Sequence, residues 1–312
     1  MAPRFASDGQ RLVWVTAATA QSQALLRGQD VEWVRQVGSR QLGRVLASLP
    51  QATRVIRRRR PERVVSTGAA LSVPYLVAAR LMGIETHYVE SATRLEGPSV
   101  TGRIAQALPG VTLHRQAVSW QNGGAAWQEI ESVFDAFEWR SQAAPGAPRV
   151  LVILGTERFA FSRAVRAVTE AVPRGAEIVW QLGHTPAPAD LPGEARAWFT
   201  FDELEQEASA ADVVVTHCGV GSVLMALRSG KCPVVIPRES AHREHVDDHQ
   251  TQLARVLSES GLVIVPDPPR GNLASAMTMS AERRTIARRA PCVGGDGPGD
   301  SAPGPAIGGP AA

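Results

Sequence analysis

The stretch ADVVVTHCGVGSVLMALRSGKCPVVIPR, residues 211–238, decides the fold. An apolar run at 213–215 leads into a histidine and a loop of small residues, and the helical pattern that follows ends at Gly230, before a second apolar run. A buried strand, a glycine-rich turn, a helix and another buried strand make up the repeating unit of a parallel α/β sheet. The small residues of the turn leave the backbone at the start of the helix open to a ligand.

A similar unit occurs earlier in the chain, as ERVVSTGAALSVPYLVAARLMGIETHYVE at 62–90. A chain of 312 residues is longer than one core usually accommodates. We therefore predict two α/β domains, each built on a parallel sheet. The predicted boundaries are a first domain at 1–140, a linker at 141–148, a second domain at 149–290 and a disordered, glycine- and proline-rich tail at 291–312.

Composition excludes several classes of protein. Lys plus Arg number 33 against 30 for Asp plus Glu, and a net charge of +3 gives no support for a nucleic-acid partner. The three cysteines have no C-x-x-C spacing, so the sequence predicts neither a disulfide framework nor a zinc site. No signal peptide or membrane-spanning run is recognisable, which predicts a cytoplasmic protein that is not integral to a membrane.

The candidate ligand site lies where the second unit turns from strand to helix. Ligands of parallel sheets bind beyond the carboxyl ends of the strands, where helix starts present free N–H groups and a partial positive charge. Gly219, Gly221 and Ser222 would form a phosphate-sized nest there; the alternative is a turn that is only tightly packed. His217 precedes this turn, and the alternative to a ligand-binding role for it is a strand-end histidine that is hydrogen-bonded only to backbone groups. The run EHVDDHQ at 244–250 would suit a hydroxyl-rich ligand.

These residues carry a family resemblance. HCGVGSVLMALRSGKCPVVIPR followed by REHVDDHQTQLA resembles the carboxyl-terminal, nucleotide-sugar-binding domain of glycosyltransferase family 28. STGAALSVP and ESATRLEGPSVTG are similar to the membrane-recruiting subunit of a two-part member of that family, the UDP-N-acetylglucosamine transferase of dolichol-linked oligosaccharide synthesis, which also has bacterial exopolysaccharide relatives. The resemblance, to a fusion of the two subunits, implies a GT-B architecture: two Rossmann-like domains whose parallel sheets face each other across a cleft.

The resemblance also implies roles for individual residues. Those expected to bind the UDP-sugar donor are His217, Gly219, Gly221, Ser222, Arg238, Asp248, His249 and Gln250. Those expected on the acceptor side are Ser91, Arg94, Ser99 and Thr101. Glu90 is the candidate general base, because a carboxylate at a strand end can reach a hydroxyl in the cleft. Alternatively, Glu90 pairs with Arg94 or orients the segment PSVTG. The helix start is expected to stabilise the departing diphosphate, so we expect neither a metal nor a cofactor beyond the donor.

One departure from the family pattern is the start of the chain. Family members usually begin with an apolar strand and a Gly-Gly-His loop, whereas this sequence opens with RLVWVT, which resembles the second strand. The first strand of the amino-terminal domain is therefore expected to be missing. A misassigned start, a remnant with an impaired site and a partner that supplies the strand are the explanations left open.

The resemblance implies an inverting transfer of a hexose or hexuronate from a UDP-sugar to a polyprenyl-diphosphate-linked acceptor, in surface polysaccharide synthesis. The alternatives are a non-catalytic nucleotide-sugar-binding or scaffold subunit, and a UDP-sugar epimerase. The run VIRRRRP at 55–61 would place the protein on the inner, anionic face of the plasma membrane, or is simply a solvated helix end.

Overall fold

The computed structural model of the protein describes residues 10–35, 45, 47–116, 120, 126–144, 146, 148–245, 249–266 and 272–288. The predicted tail at 291–312 and the predicted donor residue Asp248 lie outside this described part. Within it, no helix is long and apolar enough to cross a lipid bilayer.

Strands and helices alternate along most of the chain, as the two repeated units predict. The strands are β1 (Trp14–Ala17), β2 (Val31–Val34), β3 (Arg63–Ser66), β4 (Glu85–Val89), β5 (Val111–Arg115), β6 (Trp127–Glu129), β7 (Phe137–Ser141), β8 (Arg149–Ile153), β9 (Glu177–Gln181), β10 (Glu194–Arg196), β11 (Val213–Thr216), β12 (Val234–Val235) and β13 (Arg283–Ala287). The α-helices are α1 (Ala20–Leu25), α2 (Leu49–Arg59), α3 (Val73–Leu81), α4 (Val100–Ala107), α5 (Ser162–Ala171), α6 (Phe201–Ala210), α7 (Val220–Arg228), α8 (His249–Glu259) and α9 (Leu273–Ala281).

The carboxyl-terminal strands form one parallel sheet in the order β10-β9-β8-β11-β12. Side chains alternate between the two faces of a strand, and in β8 both sets are buried. Val150 and Val152 belong to a core that includes residues of α5 and α9, whereas Leu151 and Ile153 face residues of α6 and α7. Because both faces are covered at the centre of the sheet, β8 and β11 are largely apolar, which is the pattern of a parallel sheet, whereas the edge strand β10 is exposed.

The amino-terminal strands form two separate parallel sheets in the described part of the chain, β1-β2 and β3-β4-β5-β6. Both contribute to one apolar cluster, in which Val34 of β2 and Val64 of β3 pack with Ile56 of α2 and Ala79 of α3. The two sheets therefore pack against the same helices but are not hydrogen-bonded to each other. The absence of a first strand stays a prediction.

Two features join the halves of the chain. Ala92 and Phe134 from the amino-terminal half pack in one apolar cluster with Val223 of α7 and Leu253 of α8. In addition, β13 pairs antiparallel with β7, so the last described strand returns to the segment before the predicted linker. The carboxyl ends of the strands that carry the predicted site are thereby held at an interface between the two halves.

The arginine run at the end of α2 is partly neutralised by the neighbouring strand. Arg58 contacts Glu32 at 2.5 Å, and Arg59 contacts both Glu32 and Asp30, at 2.5 and 3.0 Å. Arg60 ends the helix in the left-handed conformation, at φ 47°. This geometry favours the solvated helix end over a dedicated membrane contact, and membrane attachment stays a prediction.

Candidate functional site

The glycine-rich turn after β11 leads directly into α7. Gly219 is the N-cap of α7 and has an extended conformation, and no side chain caps the helix. Hydrogen bonds within the described residues leave the backbone N–H groups of Val220, Gly221 and Ser222 without an acceptor, as expected for the first turn of a helix. Three free donors and the positive end of the helix dipole therefore meet at one point, which suits an anion.

The side chain of His217 fills the space beside two glycines. An ideal Cβ built on Gly219 would lie 2.4 Å from Nε2 of His217, and one built on Gly155 would lie 2.5 Å from Cε1. Gly155 follows β8 and has φ +83°, a conformation that other residues rarely adopt. Glycine at both positions is therefore required for the ring to pack between the two strand ends.

The ring of His217 is buried, and burial lowers the pKa of His217 to about 4. Nδ1 lies 3.4 Å from the carbonyl oxygen of Ile153, which can only accept a hydrogen bond, so the proton sits on Nδ1. Nε2 then carries a lone pair towards Gly219. At neutral pH the ring is uncharged, which favours the alternative that His217 supports the turn through backbone contacts, over a direct role with phosphate.

We expect the buried ring of His217 to make stability depend on pH. An unfolded histidine titrates near pH 6.5, so between pH 6.5 and about 4 the unfolded state binds one proton more than the folded state. Stability is then fully present above pH 6.5 and falls by about 3 kcal/mol as the pH drops to 4. Urea unfolding at several pH values measures this slope.

The matched control for that experiment is the exposed His184. His217→Gln should flatten the dependence between pH 6.5 and 4 relative to the wild type, whereas His184→Gln should leave it unchanged. An identical slope in wild type and His217→Gln would contradict a neutral, buried His217.

Arg238 is buried rather than directed into the cleft. Its guanidinium donates to the carbonyl oxygens of Leu154, Phe159 and Glu244 at 2.8, 2.8 and 3.0 Å. Its backbone N–H donates to Oε1 of Gln250 at 3.1 Å. Arg238 thus ties the loop after β8 to the loop after β12, and Gln250 fixes the backbone of Arg238, so in this structure both predicted donor residues act on the shape of the site.

Sequence reasoning missed two further residues that shape these loops. Gln181, at the end of β9, accepts from the N–H of Gly155 and donates to its carbonyl oxygen, both at 2.9 Å. Arg163 of α5 donates to both carboxylate oxygens of the buried Glu244, at 3.1 and 2.7 Å. Gln181 has the recognisable signal of a polar residue at the end of an apolar strand, whereas nothing in the sequence pairs Arg163 with Glu244.

Glu90 is buried and fully engaged on the acceptor side. Oε2 accepts from the backbone N–H and the hydroxyl of Ser99, at 2.8 and 3.0 Å, and Oε1 accepts from the N–H of Ser91 and the hydroxyl of Tyr88, at 3.0 and 3.2 Å. Only 1% of the residue is exposed. This geometry favours the alternative role, in which Glu90 orients the start of α4; its role as a general base stays a prediction.

The other acceptor-side residues lie on the loop and helix that follow β4. Ser91 contacts Thr93 through their hydroxyls at 3.0 Å, and Ser99 is the N-cap of α4, accepting from the N–H of Gly102 at 3.0 Å. Thr101 lies in the first turn of α4, half-buried. These residues form one continuous surface segment that is anchored by Glu90.

Arg94 is the residue that links this segment to the predicted donor side. Its Nη1 donates to Nε2 of His249, the first residue of α8, at 2.5 Å. Two residues later, Glu96 accepts from Nε2 of Gln252 at 2.7 Å. The structure therefore brings together Arg94 and His249, which sequence analysis assigned to opposite sides of the cleft.

Comparison with known proteins agrees with the predicted family. Residues 149–264 match the glycosyltransferase family 28 C-terminal domain. The chain is 26% identical over 297 residues to the UDP-N-acetylglucosamine--N-acetylmuramyl-(pentapeptide) pyrophosphoryl-undecaprenol N-acetylglucosamine transferase of Nitrosococcus oceani, covering 85% of this chain and 79% of that protein. The transferase of the same name from Chlorobium phaeobacteroides is 24% identical over 246 residues, or 71% of this chain. The chain spans 64% of the length of that relative, and 62% of its Chlorobium luteolum counterpart.

Solved structures show the same fold at low sequence identity. The spinosyn forosaminyltransferase SpnP has a TM-score of 0.58 and 15% identity, covering 88% of this chain and 85% of that chain. MurG of Acinetobacter baumannii has a TM-score of 0.54 and 18% identity, covering 87% and 85%. The predicted GT-B architecture is thereby confirmed.

Proposed function

We propose that this chain is a member of glycosyltransferase family 28 and that it transfers a sugar from a UDP-sugar to a lipid-linked acceptor. The observation that carries the proposal is the start of α7, where three free N–H groups follow Gly219 inside the matched domain. The relatives named above are transferases whose names include a UDP-sugar and a pyrophosphoryl-undecaprenol acceptor.

In the proposed reaction, an acceptor hydroxyl oxygen bonds to the anomeric carbon of the donor sugar. The bond from that carbon to the β-phosphate oxygen breaks, UDP leaves with the electron pair, and the hydroxyl proton passes to a base, the role for which Glu90 is the candidate. Negative charge grows on the diphosphate as the bond breaks, and the N–H groups of Val220, Gly221 and Ser222 are placed to stabilise it. We further propose that the sugar is a hexose or hexuronate and that the product enters a surface polysaccharide.

A second candidate is a non-catalytic nucleotide-sugar-binding subunit. The observation that favours it is Glu90, whose two oxygens already accept four hydrogen bonds and are therefore poorly placed to take a proton from an acceptor. Both candidates require UDP to bind at α7, and they differ only in whether sugar reaches the acceptor.

One experiment separates the two. The protein is incubated with radiolabelled UDP-glucose, UDP-glucuronate or UDP-N-acetylglucosamine and with membranes that carry polyprenyl-diphosphate-linked sugars. The transferase predicts label in the lipid fraction, and Gly219→Ala should abolish it. UDP binding without label transfer from any of the three donors would overturn the transferase proposal in favour of the binding subunit.

A further inference from the structure

We propose that Arg94 is a specificity residue that binds an oxyanion of a substrate, a carboxylate or a phosphate, in addition to the diphosphate held at α7. The inference rests on the proposed function and deepens it, because it names a charged group that the donor sugar or the acceptor must carry.

Two hydrogen bonds fix the backbone of Arg94 and thereby define where its side chain begins. Its N–H donates to the carbonyl oxygen of Ser91 at 2.9 Å, and its own carbonyl accepts from the indole of Trp120 at 2.6 Å. On either side of it along the chain, Ala92 is packed into the apolar cluster shared by the two halves, and Glu96 is bonded to Gln252 of α8. A guanidinium held in this way loses little conformational freedom when a ligand binds.

The side chain of Arg94 is half-buried and has no acidic partner in the described part of the chain. Its hydrogen bond goes to His249, through a single nitrogen. Nδ1 of His249 lies 3.2 Å from Oε1 of Gln252, an oxygen that accepts, so Nδ1 is the donor of that contact and Nε2 is the atom that accepts from Arg94. Among the described residues, the positive charge of Arg94 is therefore paired with no acidic side chain.

The two acidic residues of the same loop, Glu90 and Glu96, are hydrogen-bonded to groups other than Arg94. Both oxygens of Glu90 accept hydrogen bonds from Ser91, Ser99 and Tyr88. Glu96 is bonded to Gln252 on the adjacent helix. A planar guanidinium with free donors beside a cleft matches carboxylate and phosphate geometry, since two parallel N–H groups can bind two oxygens at once.

The place of Arg94 limits which substrate group it meets. It contacts His249, the first residue of α8, which belongs to the run at 244–250 expected to contact donor hydroxyls, and it lies on the loop expected to contact the acceptor. The oxyanion is therefore either the carboxylate of a hexuronate donor or a phosphate of the lipid diphosphate acceptor. Both present the same chemistry to the guanidinium, and binding measurements distinguish them.

The experiment uses calorimetric titration of the full chain with four probes: UDP, UDP-glucose, UDP-glucuronate, and farnesyl diphosphate in the presence of UDP. The variants are Arg94→Ala, Arg94→Lys and, as a control, Arg174→Ala. Arg94→Lys keeps the positive charge but lacks the two parallel N–H donors of a guanidinium. Arg174 is exposed in the loop before β9, at the amino ends of the strands and thus at the edge of the sheet opposite the cleft.

We expect Arg94→Ala to weaken one anionic probe by about 10- to 100-fold, Arg94→Lys to weaken it less, and UDP and UDP-glucose to change less than threefold. A loss confined to UDP-glucuronate identifies a donor carboxylate, and a loss confined to farnesyl diphosphate identifies an acceptor phosphate. Equal losses for all four probes, or none, would overturn the inference. Failure of the wild type to bind UDP would overturn the proposed function, and the inference with it.

Discussion

Gly219→Ala is expected to lower the affinity for UDP by about 100-fold or more, because an added methyl group would lie 2.4 Å from Nε2 of His217. The ring cannot retreat, since on its other side it packs against the backbone of Gly155, where a Cβ would lie 2.5 Å away. The start of α7 must therefore shift, and the N–H groups that follow Gly219 no longer converge on one phosphate. Calorimetric titration with UDP measures the loss.

The control is a methyl group placed far from the site. Gly175 also has a positive φ, +81°, but a Cβ there would meet nothing within 4 Å. Gly175→Ala should thus cost about 1 kcal/mol of stability through backbone strain and leave the affinity for UDP unchanged. If Gly219→Ala and Gly175→Ala bound UDP equally well, the turn before α7 would not be the nucleotide site.

Glu90→Gln is expected to lower the free energy of unfolding by about 3 kcal/mol, although the two side chains have the same shape. Each carboxylate oxygen of Glu90 accepts from a backbone N–H, that of Ser91 at Oε1 and that of Ser99 at Oε2. An amide nitrogen at either position would face a donor that cannot rotate away. Thermal unfolding monitored by circular dichroism tests this expectation.

The matched control is Glu62→Gln, which removes the same charge from an exposed position just before β3 and should change stability by less than about 0.5 kcal/mol. The readout also separates the two roles considered for Glu90. A general base predicts an intact melting temperature and a collapse in the turnover number kcat, and that outcome would refute the structural role assigned to Glu90.

The parts of the fold that follow from local pattern could be predicted from the sequence. Apolar runs such as Val213–Thr216 have the length and composition of buried strands, and the small residues after Thr216 indicate the turn that leads into α7. The pairing of β13 with β7 was not predictable, because it joins residues more than 140 positions apart and depends on tertiary packing.

In the candidate site, too, the features set by local sequence could be predicted and those set by tertiary packing could not. The free N–H groups at α7 follow from helix geometry, so the sequence alone indicated them. Arg238 is buried and Glu90 accepts hydrogen bonds at both oxygens because backbone carbonyl and amide groups of other loops lie beside them. The spacing of residues along the sequence does not predict where those groups lie. The contact of Arg94 with His249, 155 positions apart, likewise arises only when the two halves meet.

The central claim is that the N–H groups at the start of α7 bind the diphosphate of a nucleotide. A crystal structure of the protein with UDP tests it most directly. We predict β-phosphate oxygens within about 3 Å of the backbone nitrogens of Val220, Gly221 or Ser222. UDP bound elsewhere, with these nitrogens facing only water or protein, would contradict the claim.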